Sequence, residues 1–142
     1  MRHILPTTLT ACLLVACATG GGASPDTVAA GIARSAPPGS KILIADVPVS
    51  TDFLANSMIV AAQSSGMTAS GSVHNILQGL AADNAHIGIS GRSSSVNLAT
   101  LKRALNDHNG HSNAHVYIHA APADIAALQQ LAAPKGITIH AL

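Results

Sequence analysis

The sequence predicts a small single α/β domain with a mostly parallel sheet of four or five strands joined by β-α-β crossovers. From Ala85 onward three short runs, AHIGIS, AHVYIH and ITIHAL, are separated by single helical segments, Ser95 to Asp107 and Pro122 to Ala133. Strands this short with one helix between them pair in parallel through right-handed crossovers. Upstream, Lys41 to Val47 (KILIADV) is apolar on both faces, the pattern of an interior parallel strand. Composition sets the kind of core: with one Phe, one Tyr and no Trp, aliphatic side chains must fill it.

In chain order, Ser24 is placed to cap a first helix, Pro25 suits its first position, and Val28 and Ile32 give it an apolar side. Pro37-Pro38-Gly39 ends it. After KILIADV, Pro48 stops the strand and Ser50 or Thr51 caps a helix. Its stripe is Phe53, Leu54, Met58, Ile59 and Ala62, and Gly66 closes it. Met67 to Ser70 reads as a further short strand, and Ser72 as the cap of a helix that turns Val73, Ile76, Leu77 and Leu80 to one side.

Period two sorts the faces of the last three strands. Ile87 and Ile89, Val116 and Ile118, and Ile137 and Ile139 point one way, whereas His86, Gly88 and Ser90, His115, Tyr117 and His119, and Thr138 and His140 point the other. KILIADV lacks this alternation and is expected near the middle of the sheet, with the histidine-bearing strands running toward one edge. The polar face is expected to be partly covered, by the first helices or by a partner.

The amino-terminal stretch fixes an expected location. A basic start, Met1-Arg2-His3, precedes an apolar run from Leu9 to Ala16 that is too short to span a membrane. It ends in Leu14-Val15-Ala16-Cys17, which resembles the lipobox of bacterial lipoproteins. The resemblance implies that residues 1–16 are a signal peptide and that Cys17 carries diacylglycerol and palmitate. Residues 17–23 are then a lipidated tether and 24–142 a periplasmic α/β domain. Ala18 after the cysteine implies sorting to the outer membrane. Cys12 leaves with the signal and Cys17 is acylated, so neither is free for an intramolecular disulfide. The chain also resembles the small conjugal-transfer lipoproteins of the TrbH type, through its length, its lipobox and the Pro37-Pro38-Gly39 stretch before a strand. That resemblance covers the first third and implies a part in a secretion or conjugation machine.

Past residue 16, Lys and Arg balance Asp, and there is no Glu. A neutral domain with almost no aromatic residues lacks the basic surface and stacking platforms of a nucleic-acid binder. The expected partners are the membrane, through the anchor, and other envelope proteins.

Ligands of open α/β sheets bind in loops after the carboxyl ends of strands, here Asp46 to Thr51, Gly91 to Ser95 and Ala120 to Asp124. Gly91, Arg92, Ser93, Ser94 and Ser95 open a helix with amides, hydroxyls and a guanidinium, a candidate anion site. Neither a phosphate-binding Gly-Lys-Ser/Thr nor a dinucleotide G-x-G-x-x-G occurs. Size and element order resemble flavodoxin-like and Rossmann-like domains, but the chemistry of those families is missing: Asp46 has no adjacent acid, and Ser50-Thr51-Asp52-Phe53 has no glycine. Gly88-Ile89-Ser90-Gly91-Arg92 departs from the nucleophile elbow at its last residue. No two acids adjoin, so the carboxylate pair of glycan hydrolysis is absent as well.

Seven histidines follow Cys17. His108, His111, His115 and His119 imitate a metal run, but residues 115 and 119 share a strand, where four residues span about 13 Å. One ion with bonds near 2 Å cannot bridge them. Cross-strand pairs, His86 with His115 and His119 with His140, each make half a site. His86, His115, His119 and His140, with Tyr117, are therefore expected to form a contact or weak metal face sensitive to pH. The expectation from sequence is a non-enzymatic envelope component without a cofactor. The alternative is a periplasmic small-anion-binding module or enzyme using the Gly91 to Ser95 loop.

Overall fold

The structure, a computed structural model, describes residues 22–49, 53–65 and 71–142. The lipobox, the Ser50 or Thr51 cap, Gly66 and the Met67 to Ser70 strand lie outside the described residues. The elements are α1 (Pro25–Ser35), β1 (Ile42–Asp46), α2 (Phe53–Ser65), α3 (Gly71–Ala81), β2 (His86–Ser90), α4 (Ser94–Asp107), β3 (His115–Ile118), α5 (Pro122–Ala132) and β4 (Thr138–Ala141). A turn of 3-10 helix, Ala133–Lys135, follows α5.

The domain is α/β: its four-stranded sheet is parallel throughout, in the order β1-β2-β3-β4. Successive crossovers of one hand that advance in one direction leave their helices on the same side. The main core accordingly joins α3, α4 and α5 to Ile87, Ile89, Val116, Ile118, Ile137 and Ile139, the dry face that alternation picks out. α2 packs outside, against α4. On the opposite face a second, smaller core holds Val28 and Ile32 of α1 against Tyr117 and Ile44. Helix α1 is thus the cover expected from the first helices.

Two local expectations change. β1 stands at the end of the strand order, paired with β2 alone among the described residues, and not in the middle. Its run is apolar on both sides because both layers reach the edge: Leu43 packs on the α3 side and Ile44 on the α1 side. Ser72 lies inside α3 and its hydroxyl donates to the Asp46 carbonyl, at 3.1 Å, so that it ties the helix to the end of β1 and does not cap it.

The remaining ends follow their sequence signals. Ser24 accepts from the Thr27 amide at 3.3 Å, with Pro25 next to it. Ser93 accepts from the Val96 amide at 3.4 Å and caps α4. The other end of α4 is closed from a distance: Lys135 Nζ donates to the carbonyls of Leu105 and His108, the latter at 2.6 Å. A cation on the last carbonyls of a helix satisfies acceptors that have no partner within it.

Candidate functional site

Two places gather polar side chains, one at each end of the sheet. The first lies at the carboxyl ends of β1 and β2. A cleft of about 560 Å³ is lined there by Gly22 to Pro25, Asp46 to Val49, and Gly91 and Arg92. Asp46 and Ser90 are cross-strand partners on the same face, and the buried Ser90 hydroxyl donates to Asp46 Oδ1 at 2.8 Å. One carboxylate oxygen is therefore held by a rigid group while the side chain as a whole stays exposed.

Gly91 holds the corner of this cleft. Its amide donates to the Ala23 carbonyl at 2.9 Å, and its carbonyl accepts from Asn97 Nδ2 at 3.1 Å. The Gly22 amide in turn donates to the Arg92 carbonyl at 3.0 Å. Gly22 and Ala23, placed by sequence in the tether, are packed into the domain, with Ala23 buried. Within the predicted anion loop the Gly91 amide has a protein acceptor and Ser93 and Ser95 bond each other at 3.0 Å, and the Val96 amide just past it donates to Ser93. Gly91 and Arg92 face the cleft, whereas Ser93, Ser94 and Ser95 are not in its lining. The third loop, Ala120 to Asp124, contributes nothing to it. Sequence reasoning missed the contribution of the α1 entry and the Asp46–Ser90 bond. Asp46 stood out as a strand-end acid, but only the strand register shows that Ser90 faces it.

The second place runs from the amino ends of β2 and β3 to the third residues of β3 and β4, on the α1 side. The register sets His86 against His115 and Tyr117 against His140. The His86 and His115 rings stack at 4.8 Å with 5° between their planes, and Tyr117 and His140 at 4.5 Å with 13°. Hydrogen bonds join the stacks diagonally. His86 Nδ1 and Tyr117 Oη are 2.9 Å apart, and so are His115 Nδ1 and His140 Nε2. Four rings thus form one tile. The expected approach of His86 to His115 is present, but His140 faces Tyr117 and bonds His115, and exposed His119 lies past the end of β3, outside the tile.

Burial of His86 and the neighbouring His115 ring lower the His86 pKa below the ordinary imidazole value. Burial lowers that of His140 too, helped by His115 and His86. The Tyr117 phenol is raised by burial. His86 and His140 therefore favour their uncharged forms. Two imidazolium charges about 5 Å apart repel by roughly 3 kcal/mol at an effective dielectric constant near 20.

A metal fits this tile poorly, because the imidazole nitrogens that come closest are already bonded to each other or to a phenol. Among the described residues no three His, Cys, Asp or Glu side chains are grouped to hold an ion. Of the other histidines in the H-x2-H-x3-H-x3-H run, His108 is buried and His111 lies beside Gly136. Among the described residues no helix is long and apolar enough to cross a membrane.

Comparison of the chain with protein families, with curated proteins and with solved structures yields no match.

Proposed function

We propose that the protein is a lipid-anchored, non-enzymatic component of a cell-envelope assembly. In this reading Cys17 holds it to the periplasmic side of the outer membrane and the α/β domain binds other envelope proteins. The observation that carries the reading is Leu14-Val15-Ala16-Cys17 behind a basic start and an apolar run. The likeness to conjugal-transfer lipoproteins favours a secretion or conjugation machine as the assembly. The chemistry of the domain is in keeping with an interaction role. Among the described residues its one carboxylate in the cleft, Asp46, has no second acid beside it, and the tile histidines are occupied, His115 with His140 and His86 with Tyr117.

The anchor is tested by replacing Cys17 with serine in cells grown with labelled palmitate. The native chain is expected to take up label and sediment with outer membranes, and the variant to lose both. Equal sedimentation of the two would overturn the assignment.

One observation favours a second reading, a small-anion-binding module. The cleft of about 560 Å³ lies where α/β sheets bind ligands and has Arg92 on its rim. On this reading phosphate, sulfate or a nucleotide moves the amide resonances of Arg92 to Val96 together with those of Asp46 to Val49. Spectra that stay fixed to millimolar concentrations of all three, on the order of the weakest specific affinities, would remove it.

A further inference from the structure

Beyond the two backbone bonds at its entry, Gly22 to Arg92 and Gly91 to Ala23, helix α1 is held to the sheet by few side chains. Val28 and Ile32, both fully buried, are its two large apolar contacts, and they rest on the bare backbone of Gly88. With Ala23, Ala36, Ile44 and Leu142 they also bury Tyr117, whose hydroxyl bonds His86. Among the described residues the second face of the sheet is thus covered by one helix, which is the link between the amino-terminal segment and β1.

We propose that α1 is an acid-released latch: protonation of the four-ring tile undocks α1 and uncovers the apolar face made by Ile44, Gly88, Tyr117 and Leu142. The chemistry of the tile sets a limit on the protons it holds. In the neutral His115–His140 pair one ring donates its N–H to the lone pair of the other. One added proton on the free nitrogen of the donor ring leaves that bond in place. A second leaves two N–H groups facing each other at 2.9 Å, and the bond is lost. His86, stacked on His115, then has a charged ring against its face.

Among the described residues no Asp or Glu side chain on the packed elements offsets this. α1 and its flanks turn Ala23, Val28, Gly31, Ile32 and Ala36 toward the sheet, while its charged residues, Asp26 and Arg34, are exposed and Arg34 bonds the Ala30 carbonyl of its own helix. From the β1 side come exposed Lys41, whose carbonyl accepts the His86 amide, and Asp46. Asp46 sits at the far end of the strand, four residues or about 13 Å beyond the His86 partner Ile42, and is tied to Ser90. His119 lies outside the tile, and β4 presents Thr138 besides His140, with Leu142 just past its end.

The sign follows from linkage. Burial depresses the His86 and His140 pKa values in the docked state. The docked state is therefore at full strength above the ordinary imidazole value near 6.5 and weakens as pH falls through and below it. Each imidazole whose pKa recovers by one on uncovering changes the docking equilibrium about tenfold. Release that also breaks the Gly22–Arg92 and Ala23–Gly91 backbone bonds converts residues 24–40 from a compact helix into a chain able to extend roughly 55–60 Å. The use of that reach by a membrane-held domain rests on the proposed anchor; the latch itself does not.

The test is amide hydrogen exchange on the full chain in detergent at about pH 7.5 and about pH 5, which bracket the ordinary imidazole value, after correction for intrinsic rates. Amides of Val28 to Ser35 are expected to lose at least about tenfold in protection at the lower pH while those of α4 and α5 keep theirs. The double variant His86→Gln, His140→Gln is expected to abolish the difference. Its persistence at native size overturns the proposal, as does α1 opening only together with α4 and α5. If the variant does not fold, the ring signals of native His86 and His140 decide: they are expected to titrate in step with α1 exchange, and titration with α1 still protected overturns the latch. The outcome is independent of Cys17→Ser, so a failed anchor and a failed latch give different results.

Discussion

Replacing Gly88 with valine is expected to lift α1 from the sheet and leave the three-helix side standing. A Cβ at Gly88 falls 2.4 Å from Val28 Cγ1, 2.7 Å from Ile32 Cδ1 and 2.9 Å from Ile44 Cδ1. Val28 has no room to turn aside, since it is β-branched, helical and fully buried. Burying a Val or Ile contributes about 1.5–3 kcal/mol, so the two α1 anchors supply at most roughly 3–6 kcal/mol. Valine suits a strand better than glycine and returns up to about 1 kcal/mol. The net loss in global stability is thus at most about 2–5 kcal/mol, read from urea unfolding. Exchange should show the loss concentrated in α1, with His86 and His140 returning toward the ordinary imidazole value once their cover is gone. Undiminished α1 protection in this variant would mean that the Gly88 floor does not seat the helix.

The same contact shows where the sequence is legible and where it is not. Alternation in AHIGIS, AHVYIH and ITIHAL separates the isoleucine face from the histidine face, and the structure keeps that separation. Polarity on the second face does not, however, mean solvation. Every position of β2 is buried, because His86 has Tyr117, Ser90 has Asp46, and Gly88 makes room for a helix. Residue types announce the bonding capacity of His86 and Ser90, but their partners lie 31 and 44 positions away in the chain. Register alone brings them together. The place of β1 was hidden for a related reason. A run that is apolar on both sides reports two covering layers, and here both layers extend over an edge strand. The half-covered Ile42, 37% exposed, is the one residue of the run that betrays the edge.

Of the single substitutions at the cleft, Gly91→Ala carries the largest expected effect, a loss of about 3 kcal/mol or more. Gly91 has φ +151°, in the region that is essentially reserved for glycine, where a side chain costs of order 1–3 kcal/mol in backbone strain. Contacts add to this. The new Cβ would fall 2.4 Å from Asn97 Oδ1 and 2.7 Å from the Val47 carbonyl oxygen. Neither yields readily: Asn97 is 1% exposed and its amide donates to the Gly91 carbonyl, and Val47 is fixed by its amide bond to the Ser90 carbonyl at 2.8 Å. The Gly91 amide also holds Ala23, so the distortion passes from the β2–α4 corner to the entry of α1. Arg92→Ala, next in the chain but with an exposed side chain, is the matching control and is expected to stay within about 0.5 kcal/mol of the native protein. Urea unfolding of the two variants checks both figures. A Gly91→Ala protein within about 1 kcal/mol of native, the size of an average substitution, would show that the corner relaxes and that the cleft is not built on the glycine.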